Sequence, residues 1–233
     1  MSQIVYEGIK RNIPEAQALE VCEVGCGTGR ISLRLAQQGA IVSAIDIVPE
    51  AVAMTKTLFA LNQQSIDVHE GSIFSISFSS EKFDVTWNAG VLEHFSQGER
   101  VEALTEMTRI TKPNGRIVTL NPYSRSMLYR LGKFLAELFG RWPYGHEAPI
   151  RSLQLSKPDC LLLKQEYTTG FFVVLLEIFR AIPVAAPLTF RLRKTFVRLY
   201  DGQLGWFLRI ADKLLSTLTG GYLLVSVFQK RKE

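Results

Sequence analysis

Three glycines at alternate positions stand between two acidic residues in the N-terminal part of this chain. Gly25, Gly27 and Gly29 follow Glu23, and Asp46 comes 21 residues after Gly25. Glycine is needed where the backbone takes a positive φ or where a ligand approaches it closely, and a helix N-terminus offers unpaired N–H groups. A carboxylate about 20 residues further on can accept hydrogen bonds from ribose hydroxyls. These residues predict a site for a nucleotide-like ligand.

The elements around the glycines are those that such a site needs. An apolar run ends at Val24, and apolar residues of helical period follow over residues 30–35, so the segment reads as strand, turn and helix. A second strand over residues 40–45 ends at Asp46. The glycine pattern is G-x-G-x-G, one residue short of the dinucleotide fingerprint G-x-G-x-x-G. Asp46 does not decide between a dinucleotide and another nucleoside-containing cofactor, because sites for both kinds of ligand use an acid at the end of the second strand.

Five motifs in order resemble the class I S-adenosylmethionine (AdoMet) dependent methyltransferases, in the small-molecule subgroup called type 11-like. They are E-V-G-C-G-T-G with I-D-I-V-P-E-A-V after it, then Gly71-Ser72, residues 83–88, residues 91–95 and residues 111–117. The resemblance covers about 100 residues. It implies an enzyme with AdoMet as cofactor and S-adenosylhomocysteine as product.

The same resemblance assigns roles to individual residues. The glycine loop, with Cys26 in it, would surround the methionine and ribose, and Glu23 would anchor the loop or the amino group. Asp46 would hold the ribose hydroxyls. The whole expected cofactor set is Glu23, Gly25, Cys26, Gly27, Gly29, Asp46, Ile47, Ser72, Ile73, Asn88 and Ala89. Ser72 departs from the family, which commonly has an aspartate there to accept from the adenine amino group.

The expected fold class is α/β: a single Rossmann-like, seven-stranded methyltransferase sheet, mostly parallel with an antiparallel last strand and helices on both faces. Residues 1–233 are expected to form one domain, with an AdoMet-binding core over 1–121 and helical substrate-side insertions over 122–156 and 179–220. Residues 1–14 are read as a short helix that covers the cofactor. Within the second half, Ser156 is predicted to cap a helix over 157–168, and the apolar run over 171–177 is predicted to be the sixth strand.

Two histidines could remove a proton from an acceptor that must lose one. His94 follows the turn after the fourth strand, and His146 lies in an aromatic loop that the resemblance places near the acceptor. Each could equally serve to shape its loop. The three histidines have no close ligand spacing with cysteines or acids, so no metal site is expected.

The partners are predicted from charge and composition. Residues 1–121 carry 10 Lys+Arg and 14 Asp+Glu, a net of −4, whereas the rest carries 17 and 8, a net of +9. A small apolar acceptor is expected, because the added segments are rich in Phe, Leu, Trp and Tyr. Nucleic acid is the weaker alternative, as no RNA-binding module is recognised. A non-catalytic AdoMet-binding protein is a further alternative.

The basic, amphipathic stretch within residues 179–200 could form a lid over the active site, or could contact an anionic membrane. The best apolar window contains charges and two prolines, which excludes a membrane span there. The cysteines lack a disulfide pattern and no signal peptide is recognised, so we expect a cytoplasmic protein. The sequence leaves the oligomeric state open.

Overall fold

The computed structural model describes residues 2–13, 18–140, 142, 147–181, 192, 195, 198–200, 202 and 205–232. Its seven strands are β1 (Glu20–Val24), β2 (Ile41–Asp46), β3 (Asp67–Glu70), β4 (Phe83–Ala89), β5 (Thr111–Pro122), β6 (Leu161–Thr169) and β7 (Leu223–Lys230). Its helices are α1 (Ser2–Lys10), α2 (Arg30–Ala36), α3 (Pro49–Leu61), α4 (Gln97–Ile110), α5 (Met127–Leu138), α6 (Phe171–Ala181) and α7 (Gly205–Thr219), with a short 3₁₀ helix at Leu92–His94.

All seven strands form one sheet in the order β3-β2-β1-β4-β5-β7-β6. The pairs within β1 to β5 are parallel, and β7 runs antiparallel to both of its neighbours. The predicted sheet, mostly parallel with an antiparallel last strand, is confirmed. The strand order reverses between β1 and β4, where open sheets of this kind bind ligands beyond the carboxyl ends of their strands.

Both faces of the central strands are buried. In β5, Ile117 packs on one face with α4, while Val118 packs on the other with α1 and α2. Strands covered on both faces are usually rich in apolar residues. In β4 the polar residues Thr86 and Asn88 alternate with apolar ones and are buried as well. The starts of two helices are set locally: Pro49 occupies the first turn of α3, and Ser96 forms a capping box with Glu99 at α4.

One pair of predicted elements is wrong. The segment after Ser156 is not a helix over 157–168 but strand β6, and the apolar run predicted to be the sixth strand is helix α6. A short apolar run does not by itself distinguish a buried strand from a buried helix. Here the run packs as a helix against α5, where Gly132 leaves room for Ile178: a Cβ on Gly132 would lie 3.0 Å from the Ile178 Cγ1 atom.

The predicted helix over residues 1–14 is present as α1. Across the described ranges, no helix has the length and apolar character that a membrane crossing requires. Much of the stretch over 179–200, predicted to be a lid or a membrane contact, lies outside the described residues.

Candidate functional site

The three glycines of the loop all take left-handed backbone conformations, with φ of 81° at Gly25, 51° at Gly27 and 65° at Gly29. Two of them are required by packing. A Cβ on Gly25 would lie 2.6 Å from the Val91 Cγ2 atom, and a Cβ on Gly29 would lie 2.6 Å from Thr55 Cγ2. Around Gly27, by contrast, a Cβ would meet nothing within 4 Å. The loop is therefore held tightly at its two ends and is open at Gly27, where a ligand can approach the backbone.

Two carboxyl groups hold this loop against the sheet. The buried Glu23 accepts a hydrogen bond from Ser32 Oγ of α2 over 2.5 Å, and burial raises the pKa of its carboxyl well above the usual value. Asp46 ends β2 and accepts from the backbone N–H of Gly27 over 2.7 Å and from that of Val48 over 3.0 Å. Each Asp46 oxygen keeps a further lone pair for a ligand hydroxyl.

A second wall follows β3. Ser72 Oγ accepts the backbone N–H of Phe74 over 3.2 Å, which fixes a tight turn. The hydroxyl keeps its own proton and one lone pair for a ligand. Ile47 lines the same space, and 69% of its surface is exposed, more than is usual for a large apolar side chain. A flat apolar ring system would cover such a side chain.

These walls enclose one cavity of about 630 Å³ at the switch between β1 and β4. Of the expected cofactor residues, Glu23, Gly25, Cys26, Gly27, Asp46, Ile47, Ser72, Ile73 and Ala89 line it. The other two expected residues do not line the cavity. Gly29 is the N-cap residue of α2. Asn88 is fully buried, and its side-chain amide donates a hydrogen bond to Met107 Sδ. The sequence assigned no site role to the apolar lining residues Phe74, Val91 and Phe95, although Val91 and Phe95 lie within the motif over residues 91–95.

The thiol of Cys26 is not suited to nucleophilic chemistry. It lies 3.6 Å from Thr55 Oγ1, and burial raises its pKa to about 12. A cysteine acts as a nucleophile in its thiolate form, so this one serves as a small side chain in a crowded loop.

The helix α1 contributes Val5 to the cavity, as the prediction of a covering helix requires.

Of the two candidate bases, one lies among the residues that the structure describes. His94 lines it from the 3₁₀ helix, whereas His146 falls outside the described residues. Sequence spacing did not indicate that His94 has two carboxyl groups beside it. Glu93, His94 and Glu147 each present one ligand-type atom, and these three atoms all lie within 4.8 Å of one another. Burial raises the pKa of Glu93 to about 8.

Residues 22–119 match a family model described as "Methyltransferase domain". The chain is 27% identical over 146 residues to a ubiquinone biosynthesis O-methyltransferase of Rhizobium leguminosarum bv. trifolii, an alignment that covers 61% of this chain and 57% of that protein. The chain thus spans little more than half the length of this curated relative.

Two solved structures share the fold over nearly the whole chain. The PH0226 protein of Pyrococcus horikoshii OT3 superposes with a TM-score of 0.64 at 13% identity and covers 98% of this chain and 89% of that one. A SAM-dependent methyltransferase of Methanosarcina mazei has a TM-score of 0.58 at 18% identity, with 97% of both chains covered. Identities this low establish the fold alone. The family match lies on the same segment as the glycine loop, Asp46 and Ser72, so residues 22–119 are similar to a methyltransferase domain in both sequence and fold.

Proposed function

We propose that this protein transfers the methyl group of AdoMet to a small, largely apolar acceptor, and that the reacting atom of the acceptor is an oxygen. The observation that carries the proposal is the shape of the cavity. It joins the open backbone at Gly27, the Asp46 carboxylate and the Ser72 turn on one side to the apolar residues around His94 on the other. A nucleoside with an amino-acid arm fits the first part and leaves the second for an acceptor.

The residues present suit AdoMet. The open space at Gly27 admits the ribose and methionine, and the free lone pairs of Asp46 accept from the ribose hydroxyls. Ionised Glu23 would attract the ammonium group, at the cost of losing the proton that burial favours. The adenine would lie between Ile47 and the turn at Ser72 and Ile73. Expected contacts at the donor end come from Ala89 and Gly90.

Bound AdoMet supplies a methyl group on a positively charged sulfur, which is already a strong electrophile. The chain's task is then to align the acceptor with that methyl group and to exclude water, and alignment of this kind can supply roughly 7 to 11 kcal/mol. The apolar side chains of Phe74, Val91 and Phe95 line the cavity near His94 and can exclude water. A hydroxyl acceptor must lose its proton, and we expect His94 or a carboxyl group beside it to receive that proton.

Two observations support the proposed class of acceptor. The apolar lining favours an aromatic or quinol-like compound over a sugar or an amino acid. The matching relatives are named as O-methyltransferases of ubiquinone biosynthesis, which supports oxygen as the reacting atom. The helical segments over 122–156 and 179–220 are proposed to belong to the same domain and to contact the acceptor.

Nucleic acid is the alternative acceptor, supported by the basic second half and a pI near 9.2. The described cavity is lined mainly by apolar residues, which favours the small acceptor.

A non-catalytic AdoMet-binding role is supported by Ser72 alone. Such a protein would bind AdoMet and yet give no S-adenosylhomocysteine with any acceptor.

Calorimetric titration tests the central step. We expect AdoMet and S-adenosylhomocysteine to bind the wild-type chain and NAD not to bind. Asp46→Ala should weaken both sulfur ligands about 10- to 100-fold, because two hydrogen bonds to a charged group are lost. Glu102→Ala, which removes an exposed acid on α4, is the matched control and should bind normally. If neither sulfur ligand binds the wild-type chain, the proposal fails.

A second measurement tests the acceptor. Purified protein, AdoMet and a panel of catechols, phenols and quinols are incubated together, and S-adenosylhomocysteine is quantified. Turnover with at least one hydroxylated aromatic, absent with RNA oligonucleotides, is the expected result. Turnover with RNA alone would contradict the assignment of a small acceptor.

A further inference from the structure

A group of three metal-ligating side chains lies at the acceptor end of the cavity. Glu93 and His94 come from the 3₁₀ helix after β4, and Glu147 comes from the segment before β6. One ligand-type atom of each lies within 4.8 Å of the others. His94 lines the cavity, and a Cβ on the lining residue Gly90 would lie 3.6 Å from Glu93 Oε1. The cluster is thus beside the space proposed for the acceptor.

The carboxyl group of Glu93 is the strongest sign that this cluster binds something. Only 2% of Glu93 is exposed, and within the described structure its Oε2 atom has no hydrogen-bond partner. A buried carboxyl oxygen without a partner costs free energy, because it has lost its hydration and gained nothing in return. A cation in the cluster would supply the missing partner.

The backbone around the cluster is already fixed. The N–H of Ala148 donates to the Glu93 carbonyl over 2.8 Å, which ties the two ligand-bearing segments together. Arg100 donates to the carbonyl of Leu92 over 2.9 Å and to that of Ala148 over 3.1 Å. Its guanidinium therefore binds both segments without donating to either carboxyl group in these contacts. A site held in this way needs little rearrangement to receive an ion.

The Glu147 carboxylate is oriented as metal ligands usually are. Its Oε2 accepts a hydrogen bond from Tyr129 Oη over 2.5 Å. Outer hydrogen bonds of this kind fix the direction of a ligand and are common around bound metals. Lys133, the nearby cation, donates to the Glu147 backbone carbonyl over 3.3 Å, so this bond leaves the carboxylate available.

We propose that Glu93, His94 and Glu147 bind a divalent transition-metal cation, with Mn²⁺ and Zn²⁺ as the best candidates. One imidazole nitrogen and two carboxylate oxygens suit these ions better than Ca²⁺, which prefers oxygen alone. Atoms bonded to one such ion at about 2.1 Å in tetrahedral coordination lie about 3.4 Å apart, so side-chain movements on the order of 1 Å close the cluster around it. Three protein ligands leave positions open for another oxygen.

The role of the ion rests on the proposed function. An acceptor hydroxyl that takes an open position would release its proton to solvent more readily, because the cation stabilises the oxyanion that would then receive the methyl group. His94 would then be a ligand rather than a base. The binding of the ion itself does not depend on methyl transfer, and it is tested separately.

The test uses untagged, full-length protein dialysed against EDTA and titrated with MnCl₂ in the absence of AdoMet. Free Mn²⁺ is measured by its electron paramagnetic resonance signal, which is lost on binding. We expect saturable binding of one ion per chain, weakened at least 10-fold in Glu93→Gln and in His94→Ala. ZnCl₂ should compete for the same site. Tyr129→Phe should weaken binding by a smaller factor, because it removes only the orienting hydrogen bond.

The control variant is Glu137→Gln, which removes an exposed carboxylate on α5 outside the cluster and should bind Mn²⁺ as the wild-type chain does. Circular dichroism spectra and urea unfolding of each variant show whether its domain is folded. If Glu93→Gln does not fold, His94→Ala and Glu147→Gln carry the test, because these side chains are less buried. No saturable binding by the wild-type chain, or equal binding by the cluster variants, overturns the inference.

Because the Mn²⁺ and AdoMet titrations are made independently, the two proposals can fail separately. Mn²⁺ binding without AdoMet binding would leave the metal site standing and overturn the proposed function. AdoMet binding without Mn²⁺ binding would leave the proposed function standing and overturn the metal site.

Discussion

The hydroxyl of Ser32 donates a 2.5 Å hydrogen bond to the Glu23 carboxyl and so joins the end of β1 to the first turn of α2. Both side chains are buried, and the glycine loop lies between them in the sequence. Burial is the main cause of the raised pKa of Glu23, with the nearby Asp46 charge adding to it. The carboxyl group beside the proposed ligand thus favours its protonated form when no cation is near.

This predicts how stability depends on pH. Above the ordinary carboxyl pKa of about 4.3, the unfolded chain has lost the Glu23 proton while the folded chain retains it until its raised pKa is passed. The contribution of Glu23 to stability therefore falls as pH rises in that window, by up to about 1.4 kcal/mol per pH unit. Glu23→Gln keeps an oxygen acceptor for Ser32 and has no proton to lose. Its free energy of unfolding in urea should gain on that of the wild type as pH rises from 5 to 8.

The matched control is Glu102→Gln on the exposed face of α4, whose stability should follow the wild-type curve at every pH. If the unfolding free energies of Glu23→Gln and the wild type changed with pH in parallel, burial would not raise the pKa of the Glu23 carboxyl group as described.

The glycines of the loop should separate stability from ligand binding. Gly29→Ala places a methyl group 2.6 Å from Thr55 Cγ2 in a left-handed conformation, and we expect a loss of about 2 kcal/mol in unfolding free energy. Gly27→Ala has the same conformational strain without the clash, so about 1 kcal/mol is expected. Its methyl group instead enters the cavity and should weaken AdoMet about 10-fold.

Urea unfolding of the ligand-free variants and calorimetric titration with AdoMet check the two effects. The expected ranking is that Gly29→Ala is the less stable variant and that Gly27→Ala is the stable but weaker binder. The opposite ranking in both measurements would contradict the division of roles between the two glycines.

Ser72 is predicted to limit the affinity for the cofactor. Its hydroxyl already accepts from Phe74, so only one lone pair remains for the adenine amino group. An aspartate could accept from both the Phe74 N–H and the adenine amino group. Its negative charge typically strengthens such a hydrogen bond by about 1 kcal/mol or more. Ser72→Asp should therefore bind AdoMet about 5- to 10-fold more tightly in calorimetry. Ser75→Asp, an exposed change in the same turn, controls for the added charge. A weaker Ser72→Asp complex would place the adenine elsewhere.

The N-terminal half of the fold could be predicted because its signals are local. A strand followed by glycines and a helix, an acid at the end of the next strand, and a proline in the first turn of α3 each need only neighbouring residues to act. The positions of Glu23, Asp46 and Ser72 around the cavity follow from the same signals. The cluster of Glu93, His94 and Glu147 could not be predicted, since Glu147 is brought to it from a distant segment by the fold.

The exchange of helix and strand after Ser156 has a similar cause. Strand β6 lies at the edge of the sheet beside β7, with a register shift between Leu163 and Gln165, so it accommodates polar residues that resemble a helix surface in the sequence. The N-terminus of α6 is capped from α7, about 40 residues away, by Asp212. No local pattern could indicate a cap of this kind.

This long-range cap gives the last prediction. Asp212 is 2% exposed and accepts from the backbone N–H of Gly170 over 2.9 Å, from that of Phe172 over 3.2 Å and from Thr169 Oγ1 over 3.1 Å. Asp212→Ala leaves these donors buried without a partner, and the free energy of unfolding should fall by about 2 to 4 kcal/mol. Asp212→Asn keeps one oxygen and should lose about half as much. Lys213→Ala, an exposed change on the same helix, should unfold in urea like the wild type. If Asp212→Ala also did so, the turn at Gly170 and the packing of α6 on α5 would be sufficient to start the helix without its cap.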